Sequence, residues 1–153
     1  MANVLSCMSL QATYVAIDRS RDSFECARGR TDEAPSWVRY FDETKLIVDT
    51  GIALARLGEA PRAEPLIAEG LRRETSGQQR GRALHAFWLA STQLEQGKLG
   101  DACHSAGLAL ELNTVIDFPR VAGHVHEFHR RLAPYAREAP VIRFEQRMRE
   151  SLG

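Results

Sequence analysis

The sequence predicts an all-α protein built as an α-solenoid, in which helix pairs stack side by side. Apolar residues recur at intervals of three and four, as on one face of a helix, and the alternation that indicates strands never persists. In two stretches a turn glycine is followed five residues later by alanine: Gly58 with Ala63, and Gly97 with Ala102. This shared skeleton indicates a repeated helix pair, and stacked copies of such a pair bury one continuous core.

Eight helices are predicted from the apolar spacing and from residues that begin or end helices. Asp42 is a predicted N-cap, because its side chain can accept a hydrogen bond from a first-turn amide. Gly58 and Gly97 are predicted to end helices, since glycine adopts the left-handed conformation without steric cost. Ser76 is predicted to begin a helix through a capping box, and Asp117 to open the seventh helix. The predicted helices cover approximately residues 2–17, 20–30, 42–57, 61–73, 77–96, 100–112, 117–134 and 140–152.

These helices are predicted to form one domain that covers the whole chain, residues 1–153. Two clear repeats span residues 42–73 and 77–113. A divergent repeat at 2–30, with its turn at Asp18, precedes them. A capping helix pair, residues 118–151, closes the array.

The repeat skeleton resembles that of tetratricopeptide repeat proteins, which stack helix pairs with a period of about 34 residues. The matching positions are Gly51, Gly58, Ala63 and Ile67 in the first clear repeat, and Ala90, Gly97, Ala102 and Ala106 in the second. The resemblance implies an α-solenoid whose first helices line a concave groove.

A wider resemblance covers most of the chain. The stretches that carry it are PSWVRYFDE (35–43), LARLGEAPRAEPLIAEGL (54–71), RGRALHAFWLASTQLEQG (80–97) and FPRVAGHVHEFHRRLAPYAREAPVIRFEQRMRESL (118–152). They resemble the C-terminal half of actinobacterial transcriptional regulators, in which a tetratricopeptide-like sensor follows a helix-turn-helix DNA-binding domain. The resemblance implies a sensor that binds a peptide or protein and thereby controls a regulator. This chain leaves no room for the DNA-binding domain, so we expect contact with DNA only through a domain absent from it.

Charge and composition narrow the range of partners. Twenty basic residues balance twenty acidic ones, so no global field attracts nucleic acid or an anionic membrane. The sequence has no run of about eighteen apolar residues, the length that could span a membrane. The three cysteines, Cys7, Cys26 and Cys103, are scattered without a C-x-x-C pair, which favours a reducing compartment. We therefore expect a cytoplasmic protein.

No metal or cofactor site is expected. His126 and His129 share a helix face at a spacing of three, but His124 lies off that face. The pair of histidines at positions i and i+4 that is typical of helical zinc sites is absent. These histidines are therefore predicted to form a polar helix face.

No catalytic site is expected either. Cys103 and His104 are neighbours that point about 100° apart on a helix, so they cannot act as nucleophile and base. Cys103 is instead predicted to be a small buried residue. His85 would need a partner that the sequence does not identify. Because no nucleophile, base and orienting group can be assembled, we do not expect an enzyme.

The expected binding surface is the concave groove formed by the first helix of each pair. An apolar floor with charged edges suits an amphipathic peptide or protein helix. Val48 and Ile52 stand where the tetratricopeptide clamp for C-terminal carboxylates has Lys and Asn, so a chaperone-tail ligand is not expected. Trp88 fits the groove and inter-repeat packing equally well. The candidate groove residues are Lys45, Val48, Asp49, Ile52, Arg56, Leu84, Phe87, Trp88, Ser91, Glu95, Arg120, His124, Glu127 and Arg131.

Two further hypotheses remain open beside groove binding. The chain could serve as a homodimerisation module, because an open solenoid end exposes apolar surface that a second copy can cover. Direct DNA binding through the C-terminal arginines is the third and weakest hypothesis, and it predicts binding that depends steeply on salt.

Overall fold

The described part of the chain is helical throughout. A computed structural model describes residues 2–28, 42–74 and 77–152, and these contain seven α-helices, one short 3-10 turn and no strand. The all-α prediction is confirmed. The helices are α1 (Ala2–Arg28), α2 (Glu43–Arg56), α3 (Ala60–Arg73), α4 (Gln79–Glu95), α5 (Leu99–Ile116), α6 (Pro119–Arg131) and α7 (Ala139–Leu152), and the 3-10 turn is Ala133–Tyr135. None of these helices combines the length and apolarity needed to cross a membrane.

The predicted break near Asp18 is wrong, so the described residues hold seven helices rather than eight. Helix α1 runs unbroken for 27 residues. The polar run around Asp18 contains neither glycine nor proline, and polarity alone does not end a helix. Ser20 Oγ donates to the carbonyl oxygen of Ala16 at 2.8 Å, which keeps this hydroxyl inside the helix instead of capping a new one. The N-terminal segment is therefore one long helix and not a helix pair.

Two antiparallel helix pairs form the centre of the fold. Gly58 and Gly97 adopt φ values of 79° and 73°, so both glycine turns are confirmed. The short connections fold α3 back onto α2 and α5 back onto α4, and α3 also packs against α4. Asp42 accepts a hydrogen bond from the amide of Lys45 at 2.9 Å, as an N-cap does. Ser76, the predicted cap of α4, lies outside the described residues.

Asp117 ends a helix instead of opening one. It takes the left-handed conformation at φ 43°, and its amide donates to the carbonyl oxygen of Asn113 at 2.8 Å. Aspartate tolerates this conformation better than most residues. The side chain of Asn113 accepts a bond from the amide of Phe118 at 3.1 Å, which holds the corner. Helix α6 therefore begins at Pro119.

The last two helices complete the larger of two apolar clusters. Phe128 of α6 and Phe144 of α7 meet edge to face with ring centroids 5.6 Å apart, and both side chains are buried. Helix α7 packs chiefly on α5, while α6 packs on α4 and α5. The smaller cluster lies between α2, α3 and α4, with Tyr14 and Ile17 of α1 packed against it.

A polar bridge joins the two central pairs beside the C-terminal end of α4. Glu64 of α3 accepts hydrogen bonds from Lys98 at 2.6 Å, Gln96 at 2.7 Å and Gln93 at 3.3 Å. Burial raises the pKa of Glu64, but these hydrogen bonds and the charge of Lys98 outweigh burial, so the net pKa is lowered. The carboxylate therefore remains ionised and holds the two pairs together at this end.

Candidate functional site

Helices α2, α4 and α6 bring predicted groove residues into one row. The guanidinium of Arg56 lies over the ring of Trp88, 5.2 Å from its centroid. The Trp88 ring meets Phe87 edge to face at 5.7 Å, and Phe87 stacks on His124 at 4.4 Å with 16° between the ring planes. Side chains from three helices thus form a chain of contacts across the molecule.

A polar contact links α4 and α6 farther along the same helices. Arg131 Nη1 donates to Ser91 Oγ at 2.5 Å, and Arg131 Nη2 lies 3.7 Å from Glu95 Oε1. Arg131 is partly exposed, as is its ion-pair partner. We call the contact chain and this polar contact together the inner row; it consists of Arg56, Phe87, Trp88, Ser91, Glu95, His124 and Arg131.

The structure corrects the prediction for several groove candidates. Val48 has no exposed surface, and its side chain fills the space above Gly70 of α3, so it packs α2 on α3 and lines no groove. Phe87 and Ser91 are also buried and support the row from within. Trp88 is half-buried, packs against both apolar clusters and is covered on one ring face by Arg56.

The remaining candidates lie around the row. Lys45 and Asp49 form an ion pair at 3.2 Å on α2, one turn apart. Ile52 is half-buried against the smaller cluster. Glu127 and Arg120 are exposed on α6.

An open cleft of about 630 Å³ lies at the N-terminal ends of α2, α4 and α6. Lys45, Leu84 and Arg120, one groove candidate from each of these helices, contribute to its lining. The other lining residues come from the caps and first turns of α2 and α4, the loop before α4, and the C-terminal ends of α3 and α5. They are Asp42, Thr44, Glu74, Gly77, Gln78, Gln79, Arg80, Gly81, His85, Ile116 and Phe118. We call this feature the Glu74 cleft.

A buried acid–imidazole pair lines the Glu74 cleft. Glu74 Oε1 and His85 Nδ1 lie 2.7 Å apart, and each side chain is 8% exposed. The two atoms are at ion-pair distance but are not aligned as a hydrogen bond, so His85 Nδ1 has no hydrogen-bond partner, and neither has Glu74 Oε2. Gln79 Oε1 is likewise buried and unpartnered; Arg82 Nε is too, but Arg82 does not line the cleft. Glu74 is thus the partner of His85 that the sequence did not identify.

The three histidines of α6 have separate surroundings. His124 stacks on Phe87, His126 Nδ1 lies 2.8 Å from the carbonyl oxygen of Ala122, and His129 Nε2 lies 3.0 Å from Glu145 Oε1. Across the described ranges, no three His, Cys, Asp or Glu side chains converge as metal ligands would.

Cys103 and His104 lie in different surroundings. Cys103 is buried in the larger cluster, as predicted, whereas His104 is exposed. Burial raises the pKa of the Cys103 thiol, and the charge of Arg143 only partly offsets this. The thiol therefore remains protonated and packs as a small apolar side chain.

His124 is expected to titrate below the ordinary histidine range of about 6.5. Burial lowers the pKa of His124, Arg120 lowers it further, and Glu127 raises it by less. The unfolded chain therefore binds this proton more readily, so the contribution of His124 to stability falls as the pH drops through the unfolded-state pKa. An NMR titration of the His124 ring protons measures the midpoint, with the same protons in the urea-unfolded chain as the reference. A midpoint above that of the unfolded chain would contradict the described burial of His124.

Comparisons of the chain with protein-family models, with curated proteins and with solved structures find no match. The inner row and the Glu74 cleft are therefore the two features of the chain that bear on its function.

Proposed function

We propose that this chain is a non-enzymatic interaction module that binds a peptide or protein helix along the inner row. The supporting observation is the unbroken contact chain from Arg56 through Trp88 and Phe87 to His124, which joins α2, α4 and α6. In a tetratricopeptide-like solenoid, the first helices of successive pairs lie side by side and form the binding wall. The same order of helices here favours a solenoid of this kind.

The charges on and beside the row indicate the chemistry of the partner. Arg131 is paired with Glu95 within the row. Arg56 contacts the Trp88 ring and is exposed on α2, so its guanidinium can donate hydrogen bonds to a carboxylate while an apolar side chain contacts the indole. We therefore propose an amphipathic partner helix that carries an acidic residue beside an aromatic or aliphatic anchor.

The proposed role is part of a transcriptional regulator in the cytoplasm. The resemblance to the sensor half of actinobacterial regulators supports it, and DNA contact would then be the task of the helix-turn-helix domain of such a regulator. In that arrangement, the partner bound along the inner row would set the state of the regulator.

Fluorescence of Trp88 provides a direct test. The chain has two tryptophans, so Trp37→Phe leaves Trp88 as the single emitter. Helical peptides selected from a displayed library on the unmodified chain are titrated into this variant, and bound peptides are expected to shift the Trp88 emission. Adding Arg56→Glu is expected to raise the Kd about tenfold or more, because a close charge pair is replaced by repulsion.

The matched control is Arg130→Glu, which makes the same charge change at an exposed position of α6 outside the inner row. This control is expected to leave the Kd within about twofold. Selected peptides that bind without affecting Trp88 emission, or equally well to Arg56→Glu, would exclude the inner row as their site.

Self-association is a second candidate, favoured by the form of α1. This helix packs mainly on α2, and Val15 on it is 40% exposed. A second copy could cover this flank of α1 and form a homodimer. Sedimentation velocity over a wide concentration range tests this candidate, and a monomer throughout would reject it.

A further inference from the structure

Two buried acceptor oxygens of the Glu74 cleft have no hydrogen-bond partner. They are Glu74 Oε2 and Gln79 Oε1, and both residues line the cleft. Folded proteins pair nearly all of their buried polar atoms, and a carboxylate oxygen is among the costliest to leave unpaired. Two such atoms beside one open cleft indicate that hydrogen-bond donors of a ligand belong there.

His85 does not complete this site. Its Nδ1 lies beside Glu74 Oε1, and Oε2 of the same carboxylate is left buried without a hydrogen-bond partner. The carboxylate is held against the first turn of α4, since Glu74 Oε1 lies 3.4 Å from the position that a Cβ on Gly81 would take. The carboxylate thus packs against α4 while one of its oxygens has no hydrogen-bond partner.

We propose that the Glu74 cleft binds a primary ammonium group. An ammonium head is compact and has three N–H donors, so it can supply the hydrogen bonds that the unpartnered oxygens lack while its charge neutralises Glu74. An anion has no donors for the two unpartnered oxygens, so it would leave them unpaired even where Lys45, Arg80 and Arg120 of the lining attract it. A metal ion would lack ligands, because no three metal-ligating side chains converge in the part of the chain that the structure describes.

The rest of the lining fits the organic part of such a ligand. Leu84, Ile116 and Phe118 supply apolar surface beside the two oxygens. The volume of about 630 Å³ lies within the usual range for small-ligand sites. The basic residues of the lining can meet a carbonyl or carboxylate farther from the ammonium.

Two sources can supply the ammonium: the free amino terminus of a peptide, or a small amine. The residues shared by the cleft and the predicted groove favour the peptide. Lys45, Leu84 and Arg120 are groove candidates that also line the cleft, so the cleft adjoins the side of α2, α4 and α6 that is predicted to bind the peptide. This choice of source rests on the proposed function, whereas the ammonium site itself does not.

The test uses three probes on the full-length chain. Two are random pentapeptide-amide libraries that differ only in a free or an acetylated amino terminus, and the third is glycinamide, which carries little more than the ammonium. Saturation-transfer NMR is expected to detect the free library and glycinamide, with a signal about tenfold weaker for the acetylated library, because acetylation removes the charge and two donors.

Variants then locate the site. Glu74→Gln keeps the size of the side chain and removes its charge, and it is expected to abolish the signals of both free amines. Glu69→Gln, on the preceding turn of α3 and outside the cleft, is the matched control and is expected to retain them. Gln79→Met, which removes the second oxygen, is expected to weaken both signals, and circular dichroism checks that each variant is folded.

The outcomes separate this inference from the proposed function. If both libraries give equal signals and these signals require Arg56, the ammonium site would be overturned and groove binding would stand. A signal from glycinamide alone would support the ammonium site for small amines and count against peptide binding. No signal from any probe, or signals that survive Glu74→Gln, would overturn the inference.

Discussion

Replacing Phe128 with alanine is expected to lower the free energy of unfolding by about 4 kcal/mol, the typical cost of removing a buried aromatic ring. Phe128 has no exposed surface and is among the largest fully buried side chains of the described residues. Its ring meets Phe144 edge to face and thereby joins α6 to α7 within the larger cluster. The substitution would leave a cavity between these helices. Urea unfolding followed by circular dichroism measures the loss.

A matched substitution on the surface distinguishes burial from a general loss of helix stability. Ile142 of α7 is 49% exposed. Ile142→Ala also shortens an apolar side chain to alanine, but it is expected to change the free energy of unfolding by no more than about 0.5 kcal/mol. A loss below about 1 kcal/mol for Phe128→Ala would mean that α6 and α7 do not pack through this ring.

The second large effect is expected at Gly70, where α3 comes closest to α2. A Cβ at this position would lie 1.8 Å from Val48 Cγ2, which is far inside contact distance. Val48 is fully buried and cannot move into solvent, so the two helices would have to separate. Gly70→Ala is therefore expected to lower the free energy of unfolding by about 3 kcal/mol.

A double-mutant cycle with Val48→Ala tests the cause of this effect. Val48→Ala removes the clashing methyl groups. The double variant is therefore expected to lose less free energy of unfolding than the two single variants together, by at least about 1 kcal/mol. Additive losses would show that the clash is not with Val48. Gly123→Ala is the control, because a Cβ on this exposed glycine of α6 meets nothing within 4 Å. It is expected to raise the free energy of unfolding by about 0.5–1 kcal/mol through helix propensity.

Local signals in the sequence predicted most of the helices. Gly58 and Gly97 mark turns because their left-handed backbone is nearly specific to glycine. A single residue type was therefore enough to predict each turn. The break expected at Asp18 failed because charge is a weak signal for ending a helix. An aspartate can open a helix or end one, so the residue type of Asp117 did not show which it does. Its backbone conformation shows that it ends α5.

The candidate site was harder to predict because it depends on which helices approach each other. Repeat position placed Val48 on the groove side, but Gly70 lets α3 approach so closely that Val48 becomes buried. Glu74 and His85 lie on different helices, and periodicity within one helix carries no information about a partner on another. Two unusual residues offered a signal: a histidine within the apolar run of α4, and a glutamate at the end of α3.

The Glu64 bridge fastens one end of the interface between the two central helix pairs, so a rotation of one pair against the other would be centred there. Gln96 and Lys98 hold one end of the interface, and Gln79 at the opposite end of α4 lies about 25 Å away along the helix axis. A rotation of about 5° around the bridge displaces the far end by about 2 Å at that helix length. The length of α4 would thus act as a lever arm, and a small rotation at the bridge would change the width of the cleft at the far end.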